Sequence, residues 1–126
     1  MSDVNFNSTD NKAAPAGGAL PITTRDASGG NDTYTILSTD SIVIGDVGSS
    51  MNTVALTLPA ASGLAGKELI ICRAGDGMGS LTLDTNGSET LSGSTSQIST
   101  TTEGDAVRVV CDGTGWHYAG IKGFGI

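Results

Sequence analysis

The chain holds one histidine, two cysteines and one tryptophan among its 126 residues, its aromatic share is 4%, and only 15% of it is charged. Each scarcity excludes something. With a single imidazole, any acid–base mechanism running on an unperturbed group near neutral pH would pass through His117. Structural zinc sites usually take four Cys or His ligands, and Cys72, Cys111 and His117 are the whole supply. No apolar run approaches the roughly 18–20 residues that span a bilayer, and residues 1–10 lack the basic-then-apolar order of a secretory signal. The chain therefore reads as soluble and unexported, with both cysteines expected as reduced, buried, small apolar residues. A formal net charge of -7 and a sequence pI of about 4.2 oppose phosphate backbones and anionic lipid, so neither nucleic acid nor membrane is an expected partner.

What is present points to strands. There are 19 glycines, together with long stretches of Ser and Thr. Glycine costs about 1 kcal/mol against alanine inside a helix, and β-branched residues fit a pleated sheet better than a helical turn. Short alternating apolar runs bounded by Gly, Asp, Asn and Ser predict strands over 33–37, 41–45, 53–58, 67–73, 80–84, 96–99, 105–111 and 116–120. Gly75-Asp76-Gly77, Asn86-Gly87 and Asp112-Gly113 supply positive φ for tight turns between them. Such short connections predict antiparallel pairing, since parallel neighbours need a dozen or more connecting residues. The expected fold is all-β: one antiparallel β-sandwich or barrel-like domain over 33–120, an extended arm over 1–32 and a short tail over 121–126.

Alternation sets the faces. Val54, Leu56 and Leu58 share one side of their strand, and Leu81 and Leu83 repeat the pattern. The runs 68–73 and 106–111 are apolar on both sides, which predicts central strands needing cover on both faces, from a second sheet or from a neighbouring subunit. Few aromatics make a lean core, so a homo-oligomer is expected.

No catalytic pattern emerges. His117 sits in Trp116-His117-Tyr118, where Trp116 and Tyr118 share one face and His117 takes the other, and no Gly-x-Ser-x-Gly elbow is present. Asp46, Asp76, Asp84 and Asp112 sit beside turn residues, which explains them without a paired-carboxylate hydrolase. The stretch Asp84-Thr85-Asn86-Gly87-Ser88-Glu89 is too short for a calcium loop with flanking helices and reads as a hairpin turn. The glycines of 75–79 lack the Lys-Ser/Thr of a phosphate-binding loop. The chain is read as non-enzymatic, with no cofactor and no metal.

Four segments in fixed order are familiar: Thr33-Tyr34-Thr35-Ile36; Leu56-Thr57-Leu58-Pro59-Ala60-Ala61-Ser62-Gly63 with Gly66-Lys67; Asn86-Gly87-Ser88-Glu89-Thr90-Leu91; and Val110-Cys111-Asp112-Gly113-Thr114-Gly115-Trp116-His117. Together they resemble a β-rich surface module of tailed-bacteriophage virion proteins, over roughly 33–120. Cys111 and Gly115 depart from the commoner Ser and Asn. The resemblance implies a structural particle protein, often trimeric, of the kind found in fibres, spikes and capsid surfaces, with no enzymatic role.

With the module standing almost alone behind an arm, the expectation is a capsid decoration, or cement, protein: a homotrimer on the virion's capsid surface, assembled in the bacterial host cytoplasm. It would bind the major capsid protein where its subunits meet. Phe6, Leu20 and Ile22 are the candidate apolar anchors, with Lys12 and Arg25 as salt partners for capsid acids. The alternative is a tail-fibre or tail-tip module that binds a receptor or carbohydrate through loop 92–95 and the Trp116/Tyr118 face.

Overall fold

The structure, a computed structural model, describes residues 19–124. Within them are nine strands and no helix: β1 (Ile22–Asp26), β2 (Asp32–Thr35), β3 (Ile42–Asp46), β4 (Val54–Thr57), β5 (Glu68–Ala74), β6 (Leu81–Asp84), β7 (Gln97–Thr100), β8 (Ala106–Cys111) and β9 (Trp116–Lys122). They form a five-stranded sheet in the order β9-β8-β5-β3-β1 and a four-stranded sheet in the order β2-β4-β6-β7. The two sheets do not close into a barrel.

The all-β expectation holds, but the antiparallel one does not. From β1 to β6 the chain alternates between the sheets, so β1, β3 and β5 pair in parallel in one, and β2, β4 and β6 pair in parallel in the other. Only β5–β8, β8–β9 and β6–β7 are antiparallel. The connection-length rule was sound, and its application assumed that neighbours in sequence are neighbours in a sheet. Here the long crossover is supplied by a strand of the opposite sheet, and the first six strands make three coils of a short solenoid. The antiparallel strands β7, β8 and β9 then close its far end.

The sheet begins earlier in sequence than expected. Strand β1 falls inside 1–32, the stretch read as an arm, and pairs with β3 over its full length from Ile22↔Ile42 to Asp26↔Asp46. At the other end β9 runs on to Lys122, and Phe124 is buried. Alternation had been hidden in β1 because its inward residues, Thr23 and Arg25, are polar.

Between the sheets lies one core. Val43, Leu69, Ile71, Val107, Val109 and Cys111 face Val54, Leu56, Leu81, Leu83 and Ile98. As the doubly apolar runs predict, β5 and β8 are interior strands of their sheet. Burying each such aliphatic side chain contributes about 1.5–3 kcal/mol, which makes this interface the main source of stability. Gly45 is part of the fit: a Cβ there would stand 2.5 Å from Leu81 Cδ1. Cys111 is in the core and Cys72 is half-buried on the outer face, so the two thiols lie on opposite sides of the sheet and are free.

The interior of the first coil is polar. Arg25 Nε and Nη2 donate to Asp32 at 2.7 and 3.0 Å, with the guanidinium 4.6 Å above the Tyr34 ring. Tyr34 and Thr23 hydroxyls donate to the Asp40 carboxylate at 2.7 and 2.8 Å, and the Leu37 amide adds a third bond at 2.8 Å. Burial pushes the Asp40 acid up, and the bonds from Tyr34, Leu37 and Thr23 together outweigh it, holding the group below the usual carboxylate range. This network is the lid of the core at the open end of the stack.

Candidate functional site

Three of the four familiar segments converge at the opposite end. The chain turns after β4 at Pro59, whose carbonyl accepts from the indole Nε1 of fully buried Trp116 at 3.2 Å. Glu89 holds the Ala61 amide with both carboxylate oxygens, at 3.2 and 3.1 Å, and the Ala61 carbonyl meets Cys111 Sγ at 3.4 Å. Backbone bonds from Trp116 N to Thr90 O and from Ser92 N to Trp116 O complete the junction. Segment 85–96 is therefore a wide excursion between β6 and β7 that docks on β9, in place of the tight hairpin expected at Asn86-Gly87. Gly87 does take positive φ, at 56°. Segment 75–79 is likewise a corner between sheets, since β5 and β6 belong to different ones.

The hairpin between β8 and β9 is the tight turn expected at Asp112-Gly113. Asp112 Oδ1 accepts from the Thr114 and Gly115 amides at 2.7 and 2.8 Å, while His117 Nε2 lies 2.6 Å from Oδ2. His117 first, and then the two amides, hold the Asp112 carboxyl down at about 2. An ionised carboxylate only accepts, so Nε2 carries the proton and Nδ1 is the free nitrogen. His117 and Asp112 are both about half exposed, and they border a 200 Å³ cleft with Ser88, Glu89 and Thr90. Among the described hydrogen bonds, the ring makes this one alone, to its own hairpin, with no hydroxyl or thiol aligned on it.

As the alternation requires, Trp116 and Tyr118 turn inward and His117 outward. Trp116 has no exposed surface and Tyr118 packs against the core, so neither ring is laid open as a platform for a sugar.

Of the five candidate contact residues, Phe6 and Lys12 lie outside the described residues. Leu20 and Ile22 are 52% and 59% exposed and lie together at the β1 edge of the five-stranded sheet. Arg25 is on the same strand but faces inward, and its charge is met by Asp32 within the chain. The structure thus unites Leu20 and Ile22 and separates Arg25 from them by the pleat.

Sequence reasoning missed Arg73. It is 2% exposed, and its Nη1 and Nη2 donate to the carbonyls of Ala74, Gly75, Gly77, Gly79 and Thr101 at 2.6–3.3 Å. The signal was a basic residue at an inward position of an otherwise apolar strand, immediately before a glycine-rich segment. A guanidinium can satisfy five carbonyls where an ammonium has three donors.

Two surface features remain. The outer face of the five-stranded sheet carries Ile42, Ile44, Ile70 and Cys72, half-buried, beside a shallow 290 Å³ groove lined by Ile70, Ala106, Arg108 and Ile121 among others. Cross-strand Arg108 and Glu68 form an exposed ion pair at 2.8 Å on that face. Among the described residues no group of three His, Cys, Asp or Glu side chains is placed to hold a metal ion, and no helix is long and apolar enough to cross a membrane. No known family model matches the chain, and no curated protein matches it.

Proposed function

We propose that this protein is a bacteriophage capsid decoration protein. In this reading it works as a homotrimer that binds the outer capsid surface between major capsid subunits and stabilises the head without catalysis. The observation that carries the reading is how the polar side chains are used. Glu89, Trp116, Arg73, Asp40 and the His117–Asp112 pair are each engaged in holding the fold. Facing outward among the described residues are the half-buried Ile42, Ile44 and Ile70 of the five-stranded sheet and exposed apolar side chains that include Leu20 and Ile22. A module whose chemistry is spent on its own rigidity, and whose surplus is surface, suits a role in binding other subunits. The resemblance of the familiar segments to virion proteins supports the same reading, and three of the four meet at a single junction. Many modest bridges of this kind, repeated over a shell, resist internal pressure through multivalency.

Residues 1–18 are the tether in this reading, with Phe6 as an anchor and Lys12 as a salt partner, and Leu20 and Ile22 continue the grip onto the sheet edge. The test is binding to expanded capsids. Removal of residues 1–18, which leaves β1 whole, is expected to reduce capsid occupancy at least tenfold while the β fold persists. Undiminished binding by that truncation and by a Leu20→Ser, Ile22→Ser variant would refute the proposed grip.

The 200 Å³ cleft beside His117 is the feature that favours a tail-tip module for a receptor or carbohydrate. Copy number decides between the readings: hundreds per particle for decoration, a handful for a tail tip.

A further inference from the structure

The two sheets turn opposite chemistries outward. The outer rows of the four-stranded sheet are Thr33, Ala55, Thr82 and Ser99, then Thr35, Thr57, Asp84 and Gln97, as on a solvated face. Across β1, β3 and β5 of the five-stranded sheet the matching rows are Ile22, Ile42 and Ile70, then Thr24, Ile44 and Cys72, and they run on through β8 and β9 as Arg108 and Gly120, then Ala106 and Lys122. Strand period and coil length do not distinguish the sheets, so the contrast is one of cover: water suits one face, and the other is built to be covered.

Charge on that face is sorted from side to side. Asp26 and Asp46, paired in register, stand at the β1–β3 side. At the β8–β9 side Arg108 is already offset by Glu68 on the neighbouring strand, which leaves Lys122 as the unmatched cation, 75% exposed with only a loose 3.7 Å approach to Asp105. Through the ladder Lys122 lies level with Thr24, one outward step from Asp26. A two-fold axis perpendicular to the strands and in the plane of the sheet would set cations on cations. An axis parallel to the strands sets the cationic side of one copy against the acidic side of the next, at nearly the same level. For chains that each carry a net charge of -7, that arrangement converts a repulsive approach into an attractive one.

We propose that this face is where copies of the chain meet, in a closed ring whose axis runs along the strands, with Ile42, Ile44 and Ile70 turned toward the axis. The inference rests on the homo-oligomeric half of the reading above and is independent of the capsid half. Its test uses the full chain, by sedimentation equilibrium with circular dichroism as the check on folding. The wild type is expected at a multiple of 12.6 kDa, and Ile70→Lys at the mass of one chain with its β spectrum intact. Lys122→Glu, at an exposed position that folding tolerates, is expected to weaken association about tenfold, and adding Asp26→Lys to restore it.

A monomeric wild type overturns the proposal. So does a folded Ile70→Lys that still associates, or a charge reversal that Asp26→Lys does not rescue. Loss of association on removing residues 1–18, with Ile70→Lys still associated, would also overturn it and assign the contact to the N-terminal segment. A ring that forms but leaves capsids unbound would sink the capsid reading alone.

Discussion

The guanidinium of Arg73 reaches the Gly79 carbonyl oxygen at 2.6 Å and so closes the corner between the two sheets from the inside. Ala74, Gly75, Gly77 and Thr101 carbonyls share the same two nitrogens. Removing the donors strands several acceptors in a buried corner. Arg73→Met is expected to lower stability by about 3 kcal/mol in urea denaturation, and Arg73→Lys by less, because an ammonium keeps the charge and some of the bonds.

Glycine matters at that corner for space. A Cβ on Gly75 would stand 2.5 Å from Gly48 N, and one on Gly79 would collide with the Asn52 carbonyl oxygen. Gly79→Ala is therefore expected to cost about 1–3 kcal/mol through overpacking against backbone. Gly29 has open space where its Cβ would go, and Gly29→Ala is expected to leave the melting temperature unchanged or slightly raised. Thermal melts of the pair separate crowding from a general penalty on losing glycine.

Asp112 gives the hairpin an acid-sensitive clasp. Its carboxyl titrates at about 2 in the fold, against an ordinary value of 3.8. A depressed acid stabilises the folded state above its unfolded pKa, and that contribution is lost as pH falls from about 4 toward 2. Carboxyl carbon shifts should place the Asp112 midpoint at about 2, and His117→Ala should move it upward. An Asp112 midpoint near 4 in the folded wild type would contradict the clasp.

Trp116 is the chain's one tryptophan and is fully buried, so its fluorescence reports on the junction of the familiar segments. Emission is expected to be blue-shifted in the fold and to move red on unfolding. Trp116→Phe keeps most of the apolar volume but leaves the Pro59 carbonyl unpaired, for an expected loss of about 1–3 kcal/mol; Trp116→Ala should lose about 3–5 kcal/mol.

Strand positions were legible where alternation was apolar, as at Val54 and Leu56 or Leu81 and Leu83, because period-2 burial leaves a direct mark on composition. Strand β1 was not, since Thr23 and Arg25 occupy its inward places and erase the contrast. Partner choice was also hidden. Ile42 pairs in parallel with Ile22 and Ile70 because the chain passes through the other sheet between them, and nothing in a local window records that detour. The family-like segments were visible as motifs, yet their shared task depends on contacts between distant residues, such as Trp116 with Pro59. Arg73 stood in plain view as an inward basic residue, and only the geometry of its five acceptors explains it.

Finally, the ion pair and carboxylate network inside the first coil bear on how these molecules behave when crowded. A solenoid with a dry, apolar last rung is a template onto which another chain can add its own rung, and the product is a thread without a natural length. Here a newcomer would have to strip water from the Arg25–Asp32 ion pair, a cost of several kcal/mol set against the modest gain of covering Leu20 and Ile22 beside it. Growth along the stack is therefore uphill, and high local concentration favours discrete objects over fibrils.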